Sequence, residues 1–410
     1  MVPHVLIYLR AAVASWTQSY SAGFNDTSGQ YAGGSEILHL ESHGGALFAA
    51  NGYWEDTRNC IYAKSLACLQ GWGQVLRLDA PDGSWAVDFQ LPVGYVRTEA
   101  LKSLTFTTDG SGAALSPPAT VLTAGAFCSF AGVEIASVWT RRSAGTTTWQ
   151  HTAVAKSQPG IGSVRAMIVH RDSVTGIDRA YVTIGTLGIF SGTWDRARED
   201  IVWSSASESG PVGVRPLGLA VASATLFFST GQFILRRCDG ETPTWETFYT
   251  MPGGVPQKAI GGIRGLSAVP SPSDAAQESL LFIWTNSSTN QGCMYRLELS
   301  PPDNAHLVLE VCLAALMSEY LNGSEVFYTL GAYNRAMPIA DPSLPAAAPL
   351  KHLIGFAARV PCRKGSGIPC AEIGTPGVGD KATTGYYAGG VFFIRSASSR
   401  GELGAERLRL

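Results

Sequence analysis

Apolar and polar residues alternate along this chain in short runs, and the runs return in sets of four. Period-two alternation over about four to eight residues is the pattern of a half-buried β-strand. The first set reads Glu36–Leu40, Ala46–Asn51, Gly73–Asp79 and Trp85–Leu91. Between its last two members lies Pro81-Asp82-Gly83, where proline presets φ and glycine takes the left-handed position of a hairpin turn.

The cadence continues through five further units. Leu101–Thr107, Ala119–Ala124, Ile135–Thr140 and Trp149–Ala153 form the second. Arg165–Val169, Ala180–Ile184, Gly188–Thr193 and Ile201–Ser204 form the third. The fourth is the clearest: Arg215–Val221, Thr225–Ser229, Phe233–Arg237 and Trp245–Tyr249, with Cys238-Asp239-Gly240 as its turn. Arg264–Val269, Leu280–Trp284, Met294–Leu299 and Leu307–Val311 make the fifth. The sixth starts at Glu325, contains His352–Ala358 and ends with Gly390–Ser396, with Glu406–Leu410 as a further candidate strand.

Four strands per unit at a pitch of roughly 45–65 residues predict an all-β fold: a β-propeller of six to seven four-stranded blades around a central channel. A β-sandwich does not repeat a four-strand cadence six times. Trp16–Phe24 precedes the first unit and reads as an outer strand lacking its partners. Either the ring has six blades and a stray strand, or a seventh blade is incomplete; the incomplete seven-bladed plan is the expectation. Residues 1–15 read as an N-terminal remnant or disordered segment, with signal-like apolar character interrupted by Arg10, and 16–410 as the propeller domain.

Composition narrows the class. Only 15% of residues are charged and 46 of 410 are glycine, a balance suited to strands and tight turns. A net charge of −2 argues against nucleic acid or anionic membranes as general partners. No apolar run approaches the ~20 residues of a spanning helix. Of 8 cysteines, Cys60 and Cys68 bracket one short loop and Cys362 and Cys370 another. Paired cysteines of this kind, with sequons at Asn25, Asn286 and Asn322, predict a secreted, disulfide-bonded glycoprotein. Pairing among Cys128, Cys238, Cys293 and Cys312 stays open.

Aligning the units on their first strands places Glu36, Lys102, Arg165, Arg215, Arg264 and Glu325 at one position, each just before an apolar stretch. The first strand of a propeller unit lines the channel, so four consecutive blades would aim cations at one mouth, flanked by two carboxylates. Guanidinium groups match carboxylates with planar, paired donors, and an anionic ligand would relieve their mutual repulsion. The alternative is that these residues pair with one another and fill the channel. A second candidate is Asn51-Gly52-Tyr53-Trp54-Glu55-Asp56: Tyr53 and Trp54 could stack on a sugar ring while Asn51 and the acids reach hydroxyls, or Trp54 could pack between blades.

No metal site or cofactor is expected. His39 and His43 stand four apart, but on a strand and turn, not on one helix face. His43 and His170 read as structural residues on the face opposite the Arg row. Tyr333-Asn334-Arg335 and Tyr386-Tyr387 fall in the long insertions of the sixth unit, where loops carry function.

With this cadence, the basic mouth and the aromatic loop, the stretch from Glu36 to Arg395 resembles the secreted propellers that bind or cleave polysaccharides, lyases of uronic-acid glycans among them. The resemblance implies an acidic polysaccharide partner, Arg165, Arg215 and Arg264 as candidates to neutralise a uronate carboxylate, and β-elimination as the reaction. It identifies no catalytic base, because no His falls on the Arg face. Two other readings stand beside it: a non-catalytic scaffold for protein partners, and a hydrolase using Glu36 and Glu325, which requires carboxyl oxygens ~5–9 Å apart.

Overall fold

The computed structural model describes residues 19–54, 70–128, 135–141, 148–156, 163–252, 262–272, 274, 276–286, 291–299, 305–320, 326, 328–331 and 335–336, and the backbone of 337–340, 350–361 and 385–395. The third, fourth and fifth units each become one four-stranded antiparallel sheet, and the first two join into one eight-stranded sheet through a single pairing of Gly52 with Arg97. A short hairpin of β1 (Phe24–Asn25) and β2 (Tyr31–Ala32) comes first. Blade 1 follows as β3 (Glu36–His43), β4 (Ala46–Gly52), β5 (Gln74–Leu78) and β6 (Ala86–Gln90). Blade 2 is β7 (Tyr95–Thr108), β8 (Ala114–Cys128), β9 (Ile135–Arg141) and β10 (Trp149–Lys156). Blade 3 is β11 (Val164–Arg171), β12 (Asp178–Ile184), β13 (Gly188–Asp195) and β14 (Asp200–Trp203). Blade 4 is β15 (Pro216–Ala222), β16 (Thr225–Thr230), β17 (Phe233–Cys238) and β18 (Thr244–Thr250). Blade 5 is β19 (Gly262–Pro270), β20 (Glu278–Asn286), β21 (Gln291–Glu298) and β22 (His306–Cys312), followed by helix α1 (Leu313–Tyr320).

The sixth blade departs from this plan. Its strands β23 (Tyr328–Gly331) and β24 (Met337–Ala340) lie end to end along one side of β25 (Leu350–Pro361), and β26 (Gly385–Arg395) pairs with the other side. The inner strand is thus interrupted, with Arg335 at the break. Cys60, Cys68, Cys362, Cys370 and the candidate strand Glu406–Leu410 lie outside the described residues.

Burial follows position within a blade. The second strands are covered on both faces by neighbouring blades, so β20 is buried from Ser279 to Thr285 and reads as a continuous apolar run. The outermost strand β18 is mostly exposed. The core is accordingly a series of apolar layers between sheets: Val138, Val164, Val182 and Ile184 between blades 2 and 3, and Phe227, Ile263, Leu280 and Phe282 between blades 4 and 5.

Six inner strands surround one axis, and residues from all six line one axial cavity. The described strands therefore make six blades, within the six to seven expected. Trp16–Phe24 is described from Ser19 onward. Its described end pairs locally, Phe24 with Ala32, and packs on blade 1 through Tyr20 and Phe24 against Leu76, Trp85 and Val87. Asp26 fastens that hairpin by accepting from the Val87 amide at 2.9 Å.

Candidate functional site

Every inner strand from blade 1 to blade 5 carries an extra residue at one level. Register slips between Ile37 and His39, between Thr98 and Ala100, between Val164 and Met167, between Pro216 and Gly218, and between Arg264 and Ser267. A bulge leaves one residue unpaired and reverses the facing of all that follow it. His39, Ala100, Met167 and Gly218, the residues just beyond four of these bulges, line the axial cavity with Lys102, Arg165, Leu266 and Arg335. The cavity measures about 40 Å³. That is room for on the order of three waters, or the end of a ligand, and not for a glycosyl ring.

The bulges also correct the alignment of charged residues. Counted from the bulge, the blade-2 counterpart of Glu36 is Arg97, and Lys102 corresponds to Glu41. Opposite charges thus meet at two levels of the blade 1–blade 2 seam: Arg97 Nη1 lies 3.5 Å from Glu36 Oε2, and Lys102 Nζ 3.0 Å from Glu41 Oε1.

The first network centres on Glu99, the bulged residue of β7, which has no solvent exposure. Arg97 donates to both its oxygens, from Nε at 2.7 Å and Nη2 at 3.0 Å. Arg165 donates from blade 3 at 2.5 Å and is itself only 2% exposed. Burial opposes the ionisation of Glu99, but Arg165 and Arg97 outweigh it and hold the carboxyl below its ordinary range. The Glu99 carbonyl accepts a 2.7 Å bond from His39 Nε2, which fixes the neutral tautomer and leaves Nδ1 as the acceptor. Burial pulls His39 down to about 4, so its ring is uncharged at neutral pH.

The second network centres on Glu41. Oε1 accepts from Lys102 and from the Ser103 amide at 3.1 Å, and Oε2 accepts from Arg335 Nη2 at 2.9 Å. Arg335 comes from blade 6, so this contact closes the ring across 294 positions of sequence. Its side chain is 48% exposed where that of Lys102 is 18%. Burial, and then the Arg335 charge, lower the Lys102 pKa. Across the two networks, Arg97, Lys102, Arg165 and Arg335 are interleaved with Glu36, Glu41 and Glu99.

The expected row of four cations at one mouth is therefore not what the fold assembles. Lys102 and Arg165 reach the cavity, each engaged by a carboxylate. Arg264 is buried and donates to the Gly331 carbonyl at 3.3 Å. Arg215 stands half-buried, one residue before β15. Glu325, Glu55 and Asp56 lie outside the described residues, and so does any Glu36–Glu325 separation.

The aromatic loop is corrected more fully. Asn51 and Tyr53 have no exposure. Asn51 accepts from the Gln74 amide at 2.8 Å, and Tyr53 donates to the Gln70 carbonyl at 2.8 Å. Trp54 packs edge-on against Phe127, with the Arg97 guanidinium 5.6 Å from its ring centre. Asn51 fastens β4 to β5, while Tyr53 and Trp54 join blade 1 to blade 2. The buried Tyr53 presents no stacking platform, and Trp54 is half-buried with one edge contact made to Phe127. The sequence reading missed Arg97, Glu99, His39 and Glu41. Its legible signal was a shared five-residue spacing with reversed charge, Glu36…Glu41 against Arg97…Lys102.

His43 and His170 sit in hydrogen-bonded networks, with Ser103 at 2.9 Å and Asp239 at 2.9 Å. Asp239 belongs to a buried cluster in which Arg237 is ringed by Asp172, Glu208 and Asp239. Cys293 and Cys312, cross-strand partners, form a disulfide, and Cys238 is free. Among the described residues no group of acidic, His and Cys side chains could hold a metal, and no helix is long and apolar enough to cross a membrane.

No family model and no curated protein matches this chain. Among solved structures it is similar to a protein described as an exo-β-1,3-galactanase from Bifidobacterium bifidum, at 12% identity and TM-score 0.33, covering 72% of this chain and 96% of that one. It is also similar to hydrazine synthase of Kuenenia stuttgartiensis, at 12% identity and TM-score 0.37, covering 79% and 76%. Likenesses this distant carry no argument about activity.

Proposed function

We propose that this protein is a secreted binding propeller that recognises an acidic glycan by taking one carboxylate into the axial cavity. The observation that carries the reading is that Lys102, Arg165 and Arg335, cations from three different blades, line one small axial cavity. Cations gathered at one cavity repel one another, and an anionic group relieves that repulsion with charge-assisted hydrogen bonds. The exposed Arg335 is the first contact, with Lys102 behind it. The sugar ring stays outside, because the cavity accepts a carboxylate and its adjoining carbon and no more. Selectivity for an acidic terminus or side group over a neutral chain follows.

The test is binding of oligogalacturonates and oligoglucuronates by calorimetry at two salt concentrations, against neutral oligosaccharides of equal length. Salt-sensitive binding of the uronates, weakened at least tenfold in Arg335→Ala, is the expected result. Equal affinity for neutral chains, or none for any, removes the reading. The finer half is β-elimination, with neutral His39 as the base that removes the proton next to the neutralised carboxylate. It expects ultraviolet-absorbing unsaturated ends from wild type and none from His39→Ala; a wild type without such product is a binder alone.

A further inference from the structure

Lys102 is placed as few lysines are. Its ammonium lines the axial cavity, is mostly buried, and stands 3.0 Å from Glu41 Oε1. The same carboxylate's other oxygen holds Arg335 at 2.9 Å. Two cations bridged by one carboxylate lie at most about 8 Å apart through hydrogen bonds of ordinary length. Arg335 spends one donor on Glu41 and has four further N–H groups for a second carboxylate. Small walls at Ala100 and Gly218 keep the space beside Lys102 open. An amine, a proton acceptor in contact with it, and a guanidinium able to anchor an acid group are the parts an amine nucleophile requires.

We propose that Lys102 forms a reversible imine with small acids whose carbonyl carbon adjoins the carboxylate, the 2-oxo and aldehydo acids. The proposal rests on the reading that the cavity accepts a carboxylate, and adds covalent chemistry to it. Arg335 holds the acid group. Lys102 passes one proton to Glu41, and its nitrogen lone pair attacks the carbonyl carbon, so that the C–N bond forms as the C=O electron pair moves to oxygen. The alkoxide takes a proton from Glu41, giving a carbinolamine. One of the two N–H protons left on nitrogen and the hydroxyl group then leave together as water, and the C=N bond closes as a protonated imine, with the Glu41 carboxylate as its countercharge. Nothing is oxidised or reduced. Burial lowers the pKa of Lys102, which increases its share of uncharged amine; Lys156 is an exposed lysine.

The full chain is incubated near neutral pH, where exposed lysines of pKa about 10.4 are charged, with glyoxylate or, separately, acetaldehyde. Sodium cyanoborohydride traps the imine and peptide mapping locates the adduct. Lys102 should be labelled by glyoxylate at least tenfold faster than Lys156, with that preference lost for acetaldehyde and in Arg335→Ala. Glu41→Gln should slow labelling of Lys102 and leave Lys156 unchanged. Labelling of Lys102 no faster than of Lys156 overturns the proposal, and because both lysines are read in one folded wild-type sample, no variant's folding affects that comparison. Uronate binding without selective labelling would sink the imine and keep the binding site; selective labelling without uronate binding would do the reverse to the glycan reading.

Discussion

A carboxylate with no exposure, such as Glu99, is tolerable only because two guanidiniums satisfy it within the same network. His39 pays no such penalty in charge, since burial keeps it neutral. Its neighbours are Glu99 and Glu41, which favour the proton, and Arg335, which disfavours it, with Lys102 and Arg165 across the cavity. The pKa is depressed in the folded state, so the unfolded chain binds more protons between about 6.5 and 4. Stability is therefore complete above pH ~6.5 and declines as pH falls toward 4, by about 3 kcal/mol for this group alone. Glu99, Asp172 and Asp239, whose carboxyls are held low, add their loss only below the ordinary carboxylate range. Thermal unfolding from pH 8 to 2 should thus decline in two stages, and His39→Gln should shrink the first, to which the lowered His43 and His151 also contribute, while keeping the second. A single decline beginning below pH 4.5 in the wild type would contradict the burial of a neutral His39.

Among the elements, the repeated bulge decides which residues meet. The sequence pattern located most described strands of blades 1–5 within a few residues, because alternation and turn residues are local signals, but β7 and β8 start six and five residues before the expected Leu101 and Ala119. It could not place one extra residue in five inner strands, since a bulge is fixed by pairing with the next strand. The inner strand of blade 2 begins at Tyr95, six residues before the expected Leu101, and that longer strand puts Arg97 and not Lys102 in the row with Glu36. The loop at Tyr53 failed for a related reason: whether an aromatic residue is exposed depends on how closely the next blade approaches. Gly52 marks that approach, because a Cβ built on it would stand 1.9 Å from Arg97 Cβ and 2.7 Å from its Cα. Gly52→Ala should force β4 and β7 apart and cost about 1–3 kcal/mol, measured by urea unfolding. Gly213→Ala, with open space around its Cβ, is the control and should change little. Helix α1 was likewise unread, although Leu313, Ala314 and Met317 fall on one helical face and are buried.

For the molecule as a ring, the question is how it closes when its first described strands pack on blade 1 and complete no other. Blade 6 reaches blade 5 through Arg264 with Gly331 and through the Ala336 amide with Ser267 Oγ. It reaches blade 1 through Arg335 and Glu41. Glu41→Gln leaves Lys102 and Arg335 without their shared countercharge and should lower stability by about 1–3 kcal/mol. Hydrogen exchange should rise first in β3 and β23, the two sides of that closure. Protection lost evenly around the ring would mean the seam is held by other contacts.

Local patterns in the chain were enough for the strands, their grouping in fours and the annular architecture, because hydrophobic alternation and turn chemistry act over a few residues. Packing between distant segments settled the pairing of Lys102 with Glu41 and of Arg165 with Glu99, and the entry of His39 into the cavity. Those outcomes depend on register between strands and on contacts between residues up to 294 positions apart, and no local pattern specifies either.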